Sequence, residues 1–217
     1  MSEIKNIRIN NFELKLADSD DPVASKVSWS PAKPGGANFK AHHMDAVDNK
    51  LIVRRSGKAK AFASIFIVPG FGAVLIGAPW AFIAGNFLLG IFAIVWGGLF
   101  GGMGWFLFQE KQFVFDKQSG VYYRGKAFVH NAAARSKDQG SKNQGKLSRI
   151  HAIQLLSERI TSSGDEGSSN YLSYELNLVF ENAERINVMD GGDSEYVEDS
   201  AVRLAAYLNV PVWKAQY

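Results

Sequence analysis

The fold of this chain is decided by residues Ala61–Phe108, AFASIFIVPGFGAVLIGAPWAFIAGNFLLGIFAIVWGGLFGGMGWFLF, a run of 48 residues without Asp, Glu, Lys, Arg or His. A helix that crosses a membrane needs about 20 apolar residues, because about 30 Å of hydrocarbon is spanned at about 1.5 Å per residue. The stretch is long enough for two such helices, and a buried helix of a water-soluble protein seldom avoids charge for so long. The sequence therefore predicts a helical hairpin in a membrane.

The two predicted spans cover about residues 61–80, with a first part at Ala61–Ile76, and about residues 87–108. Proline inside the first span, at Pro69–Gly70, predicts a kink, which membrane helices tolerate when neighbouring groups satisfy the freed backbone. Trp80 and Trp105 lie where interfacial aromatic residues belong. Four residues typical of turns predict the connection between the spans: Gly77, Pro79, Gly85 and Asn86.

Glycine is concentrated in this stretch, which holds ten of the 21 glycines. The Gly97–Gly102 face contains two overlapping G-x-x-x-G pairs, Gly97 with Gly101 and Gly98 with Gly102. Small residues four apart allow another helix to approach closely. The partner of this face is either the first span, which is the simpler case, or a second copy of the chain in a homodimer.

Basic residues flank the apolar stretch on both sides, and the predicted connection carries no charge. By the positive-inside rule this places both termini in the cytoplasm, in a multi-pass membrane protein. The same residues predict a contact with anionic lipid, worth about 1 kcal/mol per basic residue near the surface. They are Lys50, Arg54, Arg55, Lys58 and Lys60 before the first span, and Lys111, Lys117, Arg124 and Lys126 after the second.

The segment 1–60 is predicted to be a cytoplasmic β segment. Alternating apolar and charged residues predict a strand at Ile9–Leu16, with a bulge at Asn10–Asn11 where the alternation shifts phase. A short strand is predicted at Val27–Trp29 and an apolar strand at Leu51–Val53. The strands at Phe12–Leu16 and Leu51–Val53 could complete a sheet formed by residues beyond the hairpin, since the two flanks face the same side of the membrane.

The segment 109–217 is predicted to be a cytoplasmic β-rich domain. A strand pair at Gln112–Asp116 and Gly120–Arg124, a strand at Ile150–Leu156 and alternation through Tyr171–Phe180 and Arg185–Met189 precede a helix. That helix has apolar residues at helical spacing and stops before Pro211: Val197, Ala201, Leu204, Ala205 and Leu208. The predicted class is an α+β membrane protein, with an antiparallel, pleckstrin-homology-like (PH-like) domain closed by a C-terminal helix.

Three segments carry a resemblance to a known group of proteins: Phe115–Gly120, Tyr174–Phe180 and Leu204–Trp213. The chain resembles, over most of residues 50–213, a group of uncharacterised bacterial inner-membrane proteins in which a two-helix hairpin precedes a small cytoplasmic β-rich domain. The resemblance implies this architecture. It implies no catalytic residue.

Motifs of catalysis are absent from the sequence, which has no H-E-x-x-H, G-x-S-x-G, P-loop or dinucleotide fingerprint, and no Cys. We therefore predict no catalytic, cofactor or metal residues. An acidic group at a helix start is typical of a structural role: Asp190, Asp193, Glu195, Glu198 and Asp199. Basic residues without interleaved aromatics do not indicate nucleic-acid binding: Lys137, Lys142, Lys146 and Arg149.

Three functional hypotheses follow. The first is a non-enzymatic inner-membrane protein whose cytoplasmic domain binds a protein or lipid partner. The second is an immunity protein that neutralises a membrane-acting bacterial toxin, which would then be the partner. The third, a membrane-bound hydrolase or transferase, requires that His42, Asp45 and His151 converge in one pocket.

Overall fold

A computed structural model describes residues 5–9, 12–16, 21–109, 112–125, 143–164 and 167–216. The chain divides into two compact units. One, the sheet unit, comprises Met1–Arg54 and Gln112–Tyr217, and the other, the helical unit, comprises Arg55–Lys111. The fold is α+β, as the sequence predicted, with two long apolar helices and antiparallel sheets.

The sheet unit contains eleven described strands and one described α-helix of its own. The strands are β1 (Lys5–Ile9), β2 (Phe12–Leu16), β3 (His42–Val47), β4 (Lys50–Arg55), β5 (Phe113–Asp116), β6 (Val121–Arg124), β7 (Gln144–Lys146), β8 (Ile150–Gly164), β9 (Gly167–Phe180), β10 (Arg185–Gly191) and β11 (Val212–Gln216). A single 3₁₀ turn, Leu147–Arg149, precedes β8. The C-terminal helix, α4, is Ser194–Leu208.

The strands form two sheets, in the orders β1-β2-β11-β8-β9-β10 and β3-β4-β5-β6-β7. The registered pairs are antiparallel except β8 with β11, which run parallel. Segments 1–60 and 109–217, which lie on either side of the apolar stretch in the sequence, each contribute strands to both sheets. β2 pairs with β11, and β4 pairs with β5 through Val53 opposite Phe113. The helical unit is thus inserted between two neighbouring strands.

The main core of the sheet unit gathers apolar side chains from both sheets and from α4. The apolar residues that alternate along β9 and recur at helical spacing on α4 lie in this core. Leu176, Leu178 and Leu204, for example, have no exposed surface. Asp193 caps α4 by accepting a hydrogen bond from the Tyr196 amide at 3.1 Å, and Asn209 ends it in the left-handed conformation, φ 59°. The helix predicted from the spacing is therefore present. Strand β11, which follows it, was not predicted.

Two predictions for the N-terminal segment were wrong. Ile9 and Leu16 do not belong to one bulged strand, because β1 and β2 are separate strands that pair with Ile9 opposite Phe12. Asn10 and Asn11 lie outside the described residues. Val27–Trp29 is not a strand, since the chain turns there, with the Val27 amide bonded to the Val23 carbonyl at 2.9 Å.

The helical unit consists of α1 (Gly57–Gly72), a π-helical turn (Ala73–Gly77), α2 (Ala78–Ile83) and α3 (Phe87–Phe108). Two stretches, Gly57–Ile83 and Phe87–Phe108, are long and apolar enough to cross a membrane. Side chains cap both starts: Ser56 accepts from the Ala59 amide at 3.2 Å, and Asn86 accepts from the Leu89 amide at 3.3 Å. The second predicted span therefore has the observed bounds, and the first begins four residues earlier than predicted.

Close approach of α1 and α3 depends on glycine. A Cβ atom on Gly97 would lie 2.5 Å from the Gly70 carbonyl oxygen, and one on Gly70 would lie 2.3 Å from the Gly101 nitrogen. Both distances are too short for any side chain. Around Gly98 and Gly102 the space is open. The two predicted G-x-x-x-G pairs thus have different surroundings. Gly97 and Gly101 face the first stretch, whereas Gly98 and Gly102 face outward.

The predicted connection was too long. Gly77 lies in the π-helical turn and Pro79 in the first turn of α2, so only Ala84–Asn86 joins the two stretches. Pro69 remains inside α1, and the wider π-helical turn begins four residues after it. Such turns are common where a helix accommodates a disturbed hydrogen-bond ladder.

Candidate interaction surface

A segment without regular secondary structure crosses the outer face of the six-stranded sheet. This segment, Ser28–Gly36, is called the strap below. It reads SWSPAKPGG, and its prolines and glycines prevent it from forming a helix or an internal strand. The sheet residues that face it come from β8, β9 and β10, and they lie in register on one face because side chains alternate along each strand.

Side chains of the sheet bind the backbone of the strap. Gln154 donates to the Ser28 carbonyl at 3.0 Å, and Arg185 donates to the Ser30 carbonyl at 2.6 Å. The Ala32 amide donates to both carboxylate oxygens of Glu175, at 3.0 and 3.1 Å. Two further bonds hold the distal end: the Gly35 amide to Glu158 at 3.3 Å, and the Tyr171 hydroxyl to the Gly36 carbonyl at 3.1 Å.

These binding side chains belong to a buried polar network. Asn177 bonds to Gln154 at 3.4 Å, Arg185 bonds to Gln154 at 3.1 Å, and neither Gln154 nor Asn177 has exposed surface. Burial raises the pKa of the Glu175 carboxyl above its usual value, although hydrogen bonds from Asn177 and the Ala32 amide favour the charged form. Buried polar groups must be satisfied to be tolerated, so the Ala32 amide is part of what keeps this carboxylate in place.

The strap is anchored at its start by an aromatic contact. Trp29 is 9% exposed, and its ring centroid lies 6.2 Å from that of the fully buried Trp213 on β11. Asp21 precedes the strap in the sequence, and one of its carboxylate oxygens lies 2.6 Å from His151 Nε2. Burial opposes ionisation of Asp21, but hydrogen bonds from His151 and from backbone amides outweigh it and lower the pKa of this carboxyl.

The middle of the strap touches the sheet through one charged side chain. Lys33 Nζ lies 3.5 Å from an Asp190 oxygen, and the Lys33 side chain remains 53% exposed. Farther along, Gly36 fits tightly, because a Cβ atom there would lie 1.8 Å from the Ser173 hydroxyl oxygen. The surface therefore accepts a small residue at Gly36 and a basic one at Lys33, while it recognises most of the strap by its backbone.

The three histidines within the described residues have separate carboxylate partners. His42 Nδ1 lies 3.4 Å from Asp190, His43 lies 2.5 Å from Asp45, and His151 pairs with Asp21. Asp45 also pairs with Arg54. His42, Asp45 and His151, which the enzyme hypothesis requires in one pocket, are thus engaged with different partners. Among the described residues, no group of three or more His, Asp or Glu is placed to hold a metal ion.

The acidic residues of the predicted group have individual structural roles. Asp193 is the helix cap described above, and Glu195 lies in the first turn of α4. Glu198 pairs with Lys214 at 2.6 Å, and Asp199 pairs with Arg203 at 3.7 Å.

Of the basic residues near the apolar stretch, several are already paired. Lys50 lies 3.1 Å from Asp116, and the Lys117 ammonium donates to the Tyr207 carbonyl at 3.1 Å. These two lysines also line a cleft of about 420 Å³ beside Asp48 and Tyr207. In contrast, Lys58 and Lys60 are exposed in the first turn of α1. Lys146 is exposed and Arg149 is half-buried, while Lys111, Lys126, Lys137, Lys142 and His130 lie outside the described residues.

Sequence reasoning missed the strap and the side chains that bind it. The available signal was weak: SPAKPGG indicates only a breaker, and Gln154, Glu175 and Arg185 are spread over three strands. Searches against known protein families, characterised proteins and solved structures found no match for this chain.

Proposed function

We propose that this is a non-enzymatic, two-span protein of the bacterial inner membrane whose cytoplasmic sheet unit binds a protein or lipid partner. The observation that carries the proposal is the outward apolar surface of the helical unit. Large side chains on all three helices are exposed, among them Ile83 at 88%, Leu88 at 82% and Phe106 at 80%. Water-soluble monomers rarely expose contiguous apolar surface on this scale, and lipid is the solvent that suits it.

The burial within the two stretches supports the membrane over the interior of a soluble protein. Only 17% and 22% of their apolar windows are buried, whereas a core helix would be covered nearly all round. Lys58 and Lys60 stand at the first turn of α1, where they would meet anionic headgroups if the N-terminal flank is cytoplasmic. The PH-like arrangement, the cytoplasmic termini and the resemblance to inner-membrane proteins belong to this same proposal.

The test of location uses a phosphatase that is active only in the periplasm. Fused after Gln109 it is expected to be inactive, and fused between Ala84 and Asn86 it is expected to be active. The fusion-free chain should stay with the membrane fraction after an alkaline carbonate wash. Release by the wash, or activity of the Gln109 fusion, would contradict the proposed topology.

The test of partner binding uses site-specific crosslinking. The chain has no cysteine, so single-cysteine variants can carry a crosslinker at Lys33 or, as a control, at the exposed Val202 on α4. Crosslinking in membranes followed by mass spectrometry is expected to yield a defined protein or lipid adduct from the first position. A bacterial toxin as the adduct would identify an immunity protein. Recovery of the uncrosslinked chain alone from both positions would contradict partner binding.

A further inference from the structure

The strap is held in the way in which proteins hold a bound peptide. Five sheet side chains bind its backbone, at the Ser28, Ser30 and Gly36 carbonyls and the Ala32 and Gly35 amides. Hydrogen bonds to a ligand's main chain supply affinity in peptide recognition, and pockets for a few side chains supply specificity. Both elements are present here, and any extended segment of suitable length can offer the same main-chain groups.

We propose that the polar face of β8, β9 and β10 is a peptide-binding surface, which the strap occupies as an internal ligand and which takes an extended, basic, glycine-containing segment of a partner protein in its place. The proposal rests on the proposed function, since it names the surface through which the sheet unit binds a protein partner.

The surface selects a basic segment by its charge. Among the described sheet side chains that contact the strap, the acidic Glu158, Glu175 and Asp190 outnumber the basic Arg185, which is directed at the Ser30 carbonyl. Lys33 of the strap carries the complementary positive charge and pairs with Asp190. An acidic segment would place a carboxylate against Asp190, and like charges brought together at an interface disfavour the wrong partner.

The surface selects glycine by its shape. At the position of Gly36 a Cβ atom would overlap the Ser173 hydroxyl, at 1.8 Å. Ser173 is 3% exposed and lies on β9 opposite Glu158 of β8, so it has little room to move. A segment with a large side chain at this position is therefore excluded.

The part of the strap that would leave is held by hydrogen bonds and buries little apolar surface. Trp29 is packed in an apolar cluster, but Ser30 and residues 32–35 are exposed and contribute no side chain to either core cluster. Segments with few buried apolar contacts open locally at low free-energy cost. Displacement therefore requires exchange of Ser30–Gly36 alone, with Trp29 remaining as the anchor.

The experiment uses the full chain in detergent with Ser30–Gly36 replaced by a Gly/Ser linker of equal length that also carries Lys33→Glu and Gly36→Leu. These two changes violate the charge and shape rules above, so the linker leaves the surface although its backbone could bind, and Trp29 is retained. The probe is a fluorescent peptide of the sequence Ser30–Asn38, and its binding is followed by anisotropy. We expect binding that is at least about tenfold tighter than to the unaltered chain, in which the tethered strap competes at high effective concentration. In the linker chain, Glu175→Gln should weaken binding several-fold, because a charge-assisted hydrogen bond becomes a neutral one.

Two control peptides test the two selection rules. A Gly36→Leu peptide should show no saturable binding, and a Lys33→Glu peptide should bind about tenfold more weakly than the parent peptide. If the linker chain does not melt cooperatively, the measurement is made on the full chain carrying Lys33→Glu, whose exposed substitution loosens the strap and leaves the core intact.

Absence of peptide binding to both loosened chains, or equal binding of the Gly36→Leu peptide, would overturn the inference. These results are independent of the crosslinking test. A crosslinked partner together with no peptide binding leaves the proposed function standing and removes only this surface. Peptide binding without any crosslinked partner shows that the surface takes such a segment, and it contradicts the partner protein that was proposed to supply the segment.

Discussion

In the helical unit, the buried positions of α1, α2 and α3 are all glycine or alanine, whereas the sheet unit buries Trp213, Tyr122 and Phe115 without any exposed surface. Large apolar side chains of the helices point outward instead. In water, burying large side chains supplies most of the stability of a fold. In lipid that gain is absent between helices, and close backbone contact between small residues takes its place. The two units are therefore packed differently, by large buried side chains in the sheet unit and by small residues in close contact in the helical unit, and the second kind of packing suits the membrane location proposed above.

Removal of the helical unit is the change with the largest expected effect. Because Val53 and Phe113 are paired neighbours on β4 and β5, an Asn-Gly turn joining Arg54 to Gln112 should close a β-hairpin and leave the sheet unit folded and water-soluble. Size-exclusion chromatography and circular dichroism of the excised chain check this. Residues 112–217 alone are the control, and they should aggregate because β5 and β11 lose their partners and expose open edges.

Aggregation of the excised chain to the same degree as the fragment would contradict the independence of the sheet unit. A soluble, folded fragment would contradict the need for the N-terminal strands.

The next largest effect is expected from a large residue in the core of the sheet unit. Leu204 on α4 is fully buried, so Leu204→Ala should lower the free energy of unfolding by about 2–5 kcal/mol. Arg203→Ala is the matched control, since its side chain is 42% exposed and its pairing with Asp199 is a surface contact worth little. Urea midpoints of the sheet unit, read in the full chain, distinguish the two. Equal midpoints would show that α4 contributes no such core packing.

A smaller effect is expected from the glycines of the helical unit. Gly97→Leu should push α1 and α3 apart, because its side chain would meet the Gly70 carbonyl, and the cost is about 1–3 kcal/mol for overpacking. Gly98→Leu should have no effect on the pair, because its surroundings are open. A cysteine pair at Phe66 and Phe100, whose rings lie 6.2 Å apart, reports the contact by oxidative crosslinking.

The Gly98→Leu control also tests the homodimer. If this variant reduces crosslinking between copies while the Phe66–Phe100 crosslink persists, the outward glycine face is an interface between two chains. Loss of the Phe66–Phe100 crosslink in the Gly98 variant, with none in the Gly97 variant, would contradict the helix orientation.

The smallest effect concerns a polar contact of the sheet unit. Hydrogen bonds from Ser119 and Lys50 hold the pKa of the Asp116 carboxyl below its usual value of 3.8. The ionised carboxylate therefore stabilises the fold above about pH 4, and this contribution is lost as the pH falls through the lowered folded-state pKa. Asp116→Asn should cost about 1 kcal/mol at neutral pH, with a difference from the wild type that shrinks below pH 4. A difference that is constant with pH would contradict the role of the charge.

Features with a strict local pattern were predictable from the sequence. The bounds of α3 and the spacing of Val197, Ala201 and Leu204 on α4 follow from uninterrupted apolarity and from a period near 3.6 residues. The sequence could not predict which glycine pair faces α1. Both pairs have the same spacing, and the rotation of α3 about its axis decides between them. Pro69 was visible, but its accommodation by a later π-helical turn was not.

The strap and the pairing of distant strands lacked any local signal. Glu175 lies 143 residues from Ala32 in the sequence, and only the registers of β8, β9 and β10 bring Gln154, Glu175 and Arg185 to one face. Recognition by backbone atoms also leaves no side-chain pattern along the strap itself. The same reasoning applies to β2 beside β11, since edge pairing depends on tertiary proximity more than on composition.

The insertion of the helical unit between β4 and β5 has a consequence for the order of events during synthesis. Val53 leaves the ribosome 60 residues before its partner Phe113, a delay of roughly 3–12 s at about 5–20 residues per second. The final strand, β11, which must lie beside β2, arrives last of all. The N-terminal strands β2 and β4 are thus made early and must wait, unpaired on these sides, while both apolar helices emerge. Pairing of β4 with β5 therefore cannot begin until Ala61–Phe108 has been translated, and pairing of β2 with β11 must wait until nearly the whole chain has been made.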